Sequence, residues 1–161
     1  MNIDNHIDHC VSLCENEYVL VCEMANKYKE ETLLPVNIWI DEAGSYEQGK
    51  YGKIIKFQLN KAEDLEIGNT GSMDLEGNIY PPHFKIQKLN GQDLCELRNF
   101  VRNNRCALER IADQEVRLYK IWPYMIKGGE VASEVEINTL KIKVDMLAAE
   151  KRNIKKLWIL K

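Results

Sequence analysis

Two adjacent carboxylates, Asp41 and Glu42, directly follow a short run of β-branched and aromatic residues. Paired oxygens at the end of a strand can share a Mg²⁺ ion, as in metal-dependent nucleases and phosphoesterases. Such a site needs further carboxylates, which the chain offers at Glu63, Asp64, Asp74 and Asp93. Because no strand is predicted after the helical region to complete such a site, a polar hairpin turn is the favoured interpretation.

Three residues near the start of the chain have the spacing of a metal site on a helix. His6, Cys10 and Cys14 are four residues apart, so an imidazole and two thiolates would share one helical face. Structural zinc sites usually draw ligands from two elements, and no matching pair occurs elsewhere. We therefore interpret these cysteines as small apolar core residues, and we predict neither a metal nor a cofactor.

A histidine follows two prolines in the run Tyr80-Pro81-Pro82-His83. His83 could act as an acid or base near neutral pH, but no nucleophile with an orienting carboxylate is evident beside it. Paired prolines are typical of the edge of a sheet. The chain also lacks a phosphate-binding glycine loop and the HExxH and GxSxG motifs. The favoured hypothesis is a protein that is not an enzyme, and the nuclease or phosphoesterase is the alternative.

Basic residues are concentrated in two places. They are Arg98, Arg102 and Arg105 on one helical face, and Lys151, Arg152, Lys155, Lys156 and Lys161 at the C-terminus. Residues 1–26 contain five acidic side chains and no lysine or arginine, so the two ends of the chain could pack on each other. With a formal net charge of −3, nucleic-acid binding through the last helix is an alternative rather than the favoured function.

Composition predicts a globular protein. The 161 residues are 45% hydrophobic and 29% charged, which suits one domain with its own core. No apolar run approaches the roughly 20 residues that cross a bilayer, and no signal peptide is recognised. Five cysteines without a CxxC pair favour a reducing compartment. We predict a cytoplasmic protein without membrane contact.

Pro35 separates two kinds of pattern. Before it, apolar residues recur in steps of four and three, which predicts an N-terminal helix within residues 1–34. Residues 35–89 are predicted to be β-rich, with strands at 36–40 and 54–59 forming an antiparallel hairpin and an edge strand at 79–86. The acidic, glycine-containing residues 61–78 are predicted to form an irregular surface loop.

Residues 90–161 are predicted to form a helical hairpin. Apolar residues repeat every seven positions from Leu94 to Met125 and again from Ile137 to Trp158, with Gly128-Gly129 as the turn. The runs 90–93 and 133–136 have the pattern of helix N-terminal caps. Asn103-Asn104 or Pro123 could divide the first stretch. The predicted fold is α+β and mainly α, as one domain over residues 1–161.

These apolar seams are the predicted interaction surface. Its residues are Leu118, Trp122, Leu140, Val144, Leu147, Lys151 and Trp158. Polar residues within the seams, Asn104, Glu115 and Lys151, could fix a register or an oligomeric state. The seams could pair with each other inside one chain or with a second copy, and the sequence leaves both possibilities open.

Two stretches support a resemblance. They are Leu34-Pro35-Val36-Asn37-Ile38-Trp39-Ile40-Asp41 with residues 54–58, and residues 93–104. They resemble a loose set of small bacterial and prophage proteins, some encoded beside toxin–antitoxin genes. That set carries an element similar to Pro81-Pro82-His83 in which a second histidine follows, whereas this chain has Lys85. The resemblance implies an accessory protein of a bacterial or mobile-element system and no catalytic residue. Together with the seams, it favours a non-enzymatic protein-interaction module.

Overall fold

In the part of the chain that the structure describes, five short strands form one antiparallel sheet in which each strand pairs with the next. The computed structural model describes residues 24–42, 52–80 and 88–159. The strands are β1 (Ala25–Lys27), β2 (Ile38–Ile40), β3 (Ile54–Gln58), β4 (Thr70–Asp74) and β5 (Ile79–Tyr80), and they lie side by side in that order. The predicted two-stranded hairpin is therefore the centre of a larger sheet.

The register of the strands places large apolar side chains on one face of the sheet. Ile38 lies opposite Phe57, and Ile55 lies opposite Met73; all four are buried. Gly71 also lies opposite Phe57, where an added Cβ would be 2.9 Å from the ring Cζ. Glycine at this position therefore lets the phenylalanine ring lie across β4.

The other face of the sheet is covered as well. Met24, Trp39 and Ile54 form a second, smaller core with the partly buried Leu65 and Ile67. Strands that are buried on both faces contain continuous apolar runs rather than strict alternation. β2 is such a run, and all three of its residues are buried.

Helices supply most of the remaining described chain. They are α1 (Lys29–Thr32), α2 (Gly91–Asn103), α3 (Arg105–Ala112), α4 (Leu118–Ile121) and α5 (Glu134–Ile159), with a 3₁₀ turn at Trp122–Tyr124. Both predicted N-terminal caps form: Asp93 N–H donates to Asn90 Oδ1 at 2.8 Å, and Glu136 N–H donates to Ser133 Oγ at 3.2 Å. None of the helices described here combines the length and the apolar surface that a bilayer crossing requires.

The α+β class is confirmed, but several predicted elements differ. The prediction of a helix through residue 34 is wrong for Ala25–Lys27, which pairs with β2 as an edge strand. Residues 1–23, where the rest of that helix was predicted, lie outside the described residues. β4 lies within the predicted loop of residues 61–78. The predicted third strand is present as β5, and its continuation over residues 81–87 is outside the described ranges.

The stretch from residue 94 to residue 125 is divided rather than continuous. α2 ends at Asn103, because the backbone of its C-cap residue Asn104 leaves helical geometry, and α3 is followed by a turn in which Gln114 has a φ of +59°. A 3₁₀ turn that contains Pro123 follows α4. Four separate α-helices therefore occupy the region predicted to be a two-helix hairpin.

The apolar face of the sheet belongs to one large core that includes residues of α2, α3, α4 and the first half of α5. Its helical members include Leu97, Phe100, Val101, Leu108, Ile111, Leu118, Ile121, Leu140 and Val144. The two predicted seams therefore meet inside the chain at Leu118, Leu140 and Val144, so these residues need no second copy to be buried.

Asparagines at the end of α2 hold the loop that leads to α5. Asn99 donates from its amide to the Gly129 carbonyl at 2.9 Å. Buried Asn104 donates to the Ile126 carbonyl at 2.8 Å and accepts from the Ile126 N–H at 2.7 Å. The polar seam position Asn104 thus fixes a loop of its own chain.

A carboxylate closes the turn between β4 and β5. Asp74 accepts backbone N–H bonds from Glu76 at 3.0 Å and Asn78 at 2.9 Å. The Asn78 amide and the Tyr80 hydroxyl also donate to it, each at 3.0 Å. Partial burial opposes ionisation of this carboxyl group, but the hydrogen bonds together lower the pKa of Asp74.

We expect this turn to stabilise the fold at neutral pH and to lose that contribution in acid. Because the folded-state pKa of Asp74 lies below its unfolded value, ionisation favours folding above the unfolded pKa. The gain disappears as pH falls through the folded pKa. In urea unfolding at several pH values, Asp74→Asn should lower stability most at neutral pH. The control is Asp64→Asn, since Asp64 is exposed and its carboxylate has no hydrogen bond or ion pair in the described chain. Equal curves for both variants would contradict this role of Asp74.

Candidate functional site

The last helix extends beyond the core that its first half helps to build. α5 has 26 residues, which corresponds to about 39 Å. Leu140, Val144 and Ala148 on its inner face are buried. Further along the helix the same face is open, with Ile154 51% exposed and Trp158 75% exposed. The apolar seam therefore continues past its own core into solvent.

A groove lies between this free part of α5 and the segment that contains α4. It encloses about 380 Å³, and we call it the α4–α5 groove. Its apolar walls are Val116 and Tyr119 on one side and Leu147 and Ile154 on the other. The seam pattern predicts the α5 wall. The α4 wall depends on the turn at residues 113–117, which no periodicity in the sequence indicates.

Four basic side chains surround these apolar walls. Arg117 and Lys120 lie on the α4 side, and Lys151 and Lys155 lie on the α5 side. Arg152 lines an adjoining cavity of about 390 Å³ together with Asp113 and Glu115. The groove thus combines apolar walls with basic side chains along both edges, which we call its rims.

Three of the acidic groups close to the groove are paired with other cations, whereas Glu42, which lines the adjoining cavity with Arg117 and Lys151, forms no ion pair among the described residues. Asp113 forms an ion pair with Lys53 at 2.9 Å. Glu115 and Asp145 both pair with Arg110, which raises the pKa of that guanidinium, chiefly through the hydrogen bond that Arg110 donates to Glu115. Because Asp113, Glu115 and Asp145 pair with Lys53 and Arg110, they form no ion pair with the basic side chains on the rims of the groove.

The cations of the rims have few partners of their own. Lys151 donates from its ammonium group to the Gln114 carbonyl oxygen. Within the residues that the structure describes, the other three rim cations, Arg117, Lys120 and Lys155, form no ion pair, and neither does Arg152 in the adjoining cavity. A positive potential over the groove follows from this arrangement.

The two carboxylates of the nuclease hypothesis face different surroundings. Asp41 is 3% exposed, whereas exposed Glu42 lines a cavity of about 270 Å³ next to Arg117 and Lys151. Asp74 and Asp93 serve the turn and the cap described above. Across the described ranges, no three histidine, cysteine, aspartate or glutamate side chains come close enough to share a metal ion. His6, Cys10, Cys14 and His83 lie outside those ranges.

Trp122, a predicted interaction residue, is engaged by lysines. The Lys27 and Lys127 ammonium groups lie 4.5 Å and 4.2 Å from the centre of its ring. Burial, and then the charge of Lys27, lower the pKa of Lys127, whose ammonium group also donates to the Trp122 carbonyl. This cluster connects β1 to the end of α4 and lies apart from the residues that line the groove.

The predicted arginine face has structural roles as well. Arg98 donates to the Gly77 carbonyl at 3.1 Å, which secures the turn after β4. Arg105 pairs with Glu109 at 3.0 Å and with Glu76 at 3.8 Å. Arg102 is exposed. Two of the three arginines thus support the fold at the sheet edge.

Of the predicted interaction residues, Leu147 and Lys151 line the groove, and Trp158, which is 75% exposed, lies one turn beyond it. The sequence interpretation did not include Arg117, Tyr119 and Lys120. The sequence feature that could have indicated them is that basic and aromatic residues directly flank Leu118 in the chain. Comparisons of the chain with protein families, with curated proteins and with solved structures find no match.

Proposed function

We propose that this protein is a non-enzymatic protein-interaction module that binds a partner protein in the α4–α5 groove. The observation that carries the proposal is the open apolar face of α5 beyond Ala148, next to four cations without ion pairs. The resemblance of residues 34–41 and 93–104 favours an accessory or inhibitor protein of a bacterial or mobile-element system. Its place of action would be the cytoplasm.

The composition of the groove supports a protein ligand. Protein interfaces commonly have an apolar centre that excludes water and a polar rim. In the groove, Leu147 and Ile154 form the centre, and Arg117 and Lys155 contribute to the rim. Apolar side chains left open at adjacent helical positions often mark an interaction site.

Site-specific cross-linking tests the proposal. A photoreactive amino acid replaces Ile154 in the full-length chain, and Ile142 is the control position. Ile142 is 63% exposed on the same helix but does not line the groove. We expect a cross-linked partner protein from position 154 and none from position 142, because the groove positions the partner against Ile154.

The partner must then be identified and purified. It should bind the wild-type protein, and it should bind Ile154→Asp at least tenfold more weakly, a factor equivalent to about 1.4 kcal/mol. Equal capture at both positions, or capture of a second copy of this chain alone, would contradict the proposed function.

A further inference from the structure

We infer that the α4–α5 groove accepts an acidic amphipathic helix of the partner protein. This inference rests on the proposed function and specifies the chemistry of the partner. The helix inserts an apolar stripe between Tyr119 and Ile154, and it places carboxylates against the basic side chains on both rims.

The charge of the groove selects an acidic ligand. Asp113 is paired with Lys53, and Glu115 shares Arg110 with Asp145, so these carboxylates repel an incoming acidic segment less than free charges would. With Glu42 counted among the nearby acidic groups, the four basic side chains of the rims still outnumber the carboxylates that line the groove itself. The unpaired cations on both rims attract such a segment from a distance and increase its association rate at low salt. A basic segment would meet repulsion on both rims.

The spacing of the cations matches a helix. Lys151 and Lys155 are four residues apart on α5, whereas Arg117 precedes α4 with an extended backbone and Lys120 lies inside that helix. Side chains four residues apart on a helix are neighbours, with Cβ atoms about 5–6 Å apart. Carboxylates with the same separation along a partner helix can therefore face both cations of the α5 rim.

The apolar walls favour a peptide over a nucleic acid. Proteins that bind single strands place bases on aromatic side chains. Three of the four apolar residues of this groove are aliphatic: Val116, Leu147 and Ile154. A phosphate backbone would satisfy the cations but would leave the exposed apolar surface of Leu147 and Ile154 uncovered. An acidic helix with an apolar stripe can cover the apolar walls and also face the basic rims, as in other helix-in-groove complexes.

Synthetic peptides of equal length test the inference with the full-length protein. The first carries leucines at helical spacing with glutamates on both flanks. In the second, lysines replace the glutamates, and in the third, alanines replace the leucines. Fluorescence anisotropy is measured at low and at physiological salt, with a single-stranded oligonucleotide and a peptide of residues 2–20 of this chain as further probes.

We expect only the first peptide to bind well. Replacing its leucines or its glutamates should weaken binding at least about tenfold, and added salt should weaken it further. Ile154→Asp and Lys155→Glu should each reduce affinity for the first peptide by about tenfold or more. The control Ile142→Asp should bind normally. Because Ile154 and Ile142 are both largely exposed, both variants are expected to remain folded.

Several results would overturn the inference. These are equal or tighter binding of the lysine peptide, competition by the oligonucleotide at the same concentration, and unchanged affinity in Ile154→Asp. Tighter binding of the peptide of residues 2–20 would assign the groove to the chain's own acidic segment. If position 154 cross-links a partner but the glutamate and lysine peptides bind with equal affinity, only this inference fails. If the acidic peptide binds as expected but no partner is cross-linked, the proposed function fails instead.

Discussion

Replacing Gly129 with alanine is expected to lower the free energy of unfolding by about 3 kcal/mol or more. An added Cβ would lie 2.6 Å from the Cα of Glu96 and closer still to its Cβ. Neither backbone can move easily, because Glu96 lies inside α2 and the Gly129 carbonyl accepts a hydrogen bond from Asn99. The substitution must therefore separate α2 from the loop that leads to α5.

Two other glycines provide matched controls. Gly128 has a φ of +85° with no atom within 4 Å of an added Cβ, so Gly128→Ala should cost only the left-handed conformation, about 1–2 kcal/mol. Gly91, at the start of α2, has open space and an ordinary φ, so Gly91→Ala should stay within about 0.5 kcal/mol of the wild type. Urea unfolding monitored by circular dichroism measures all three. Equal stability of Gly129→Ala and Gly91→Ala would show that the close approach to Glu96 has no energetic consequence.

The parts of the fold that the sequence predicted are those specified by local chemistry. β2 and β3 are rich in β-branched and aromatic residues, and the caps at Asn90 and Ser133 have side chains that satisfy helix N–H groups. These signals depend on neighbours within a few residues. They therefore hold whatever the rest of the chain does.

The missed elements depend on distant contacts. β4 has the sequence Thr70–Asp74 with a glycine in it, which is a weak strand former, and its strand exists because it pairs with β3 beside Phe57. The strand at Ala25–Lys27 likewise forms because β2 offers an edge, although its residues also fit a helical pattern. Tertiary pairing overrides local preference at both places.

A seven-residue repeat predicts which residues are apolar on one side of a helix, but it does not by itself place interruptions. The break at Asn104 and the 3₁₀ turn at Pro123 lie at the two possible divisions that the sequence marks, and the Asn104 side chain bonds the Ile126 backbone there. The turn in which Gln114 takes a positive φ has no such mark in the sequence. These breaks turn α4 toward α5 and so create the groove. The sequence could thus predict the α5 wall of the candidate site, but not the residues that face it.

Leu118→Asp and Leu147→Asp are expected to separate folding from binding. The seam pattern treats the two residues alike, but Leu118 is 2% exposed and Leu147 is only partly buried at the groove. A carboxylate at position 118 would be buried without a partner, and we expect a loss of about 4 kcal/mol or more of unfolding free energy. At position 147 the carboxylate can reach solvent, and Lys151 lies one helical turn away, so the loss should be near 1 kcal/mol.

Thermal melting and size-exclusion chromatography distinguish these outcomes. Leu118→Asp should melt far below the wild type or fail to fold, whereas Leu147→Asp should remain folded with the elution volume of the wild type. Leu147→Asp should still lose affinity for the acidic amphipathic peptide, because it removes apolar surface from the groove and adds a negative charge beside the incoming carboxylates. If both variants were equally unstable and both changed the elution volume, the seams would be pairing between chains. The core formed by Leu118, Leu140 and Val144 within one chain would then not account for the stability of the protein.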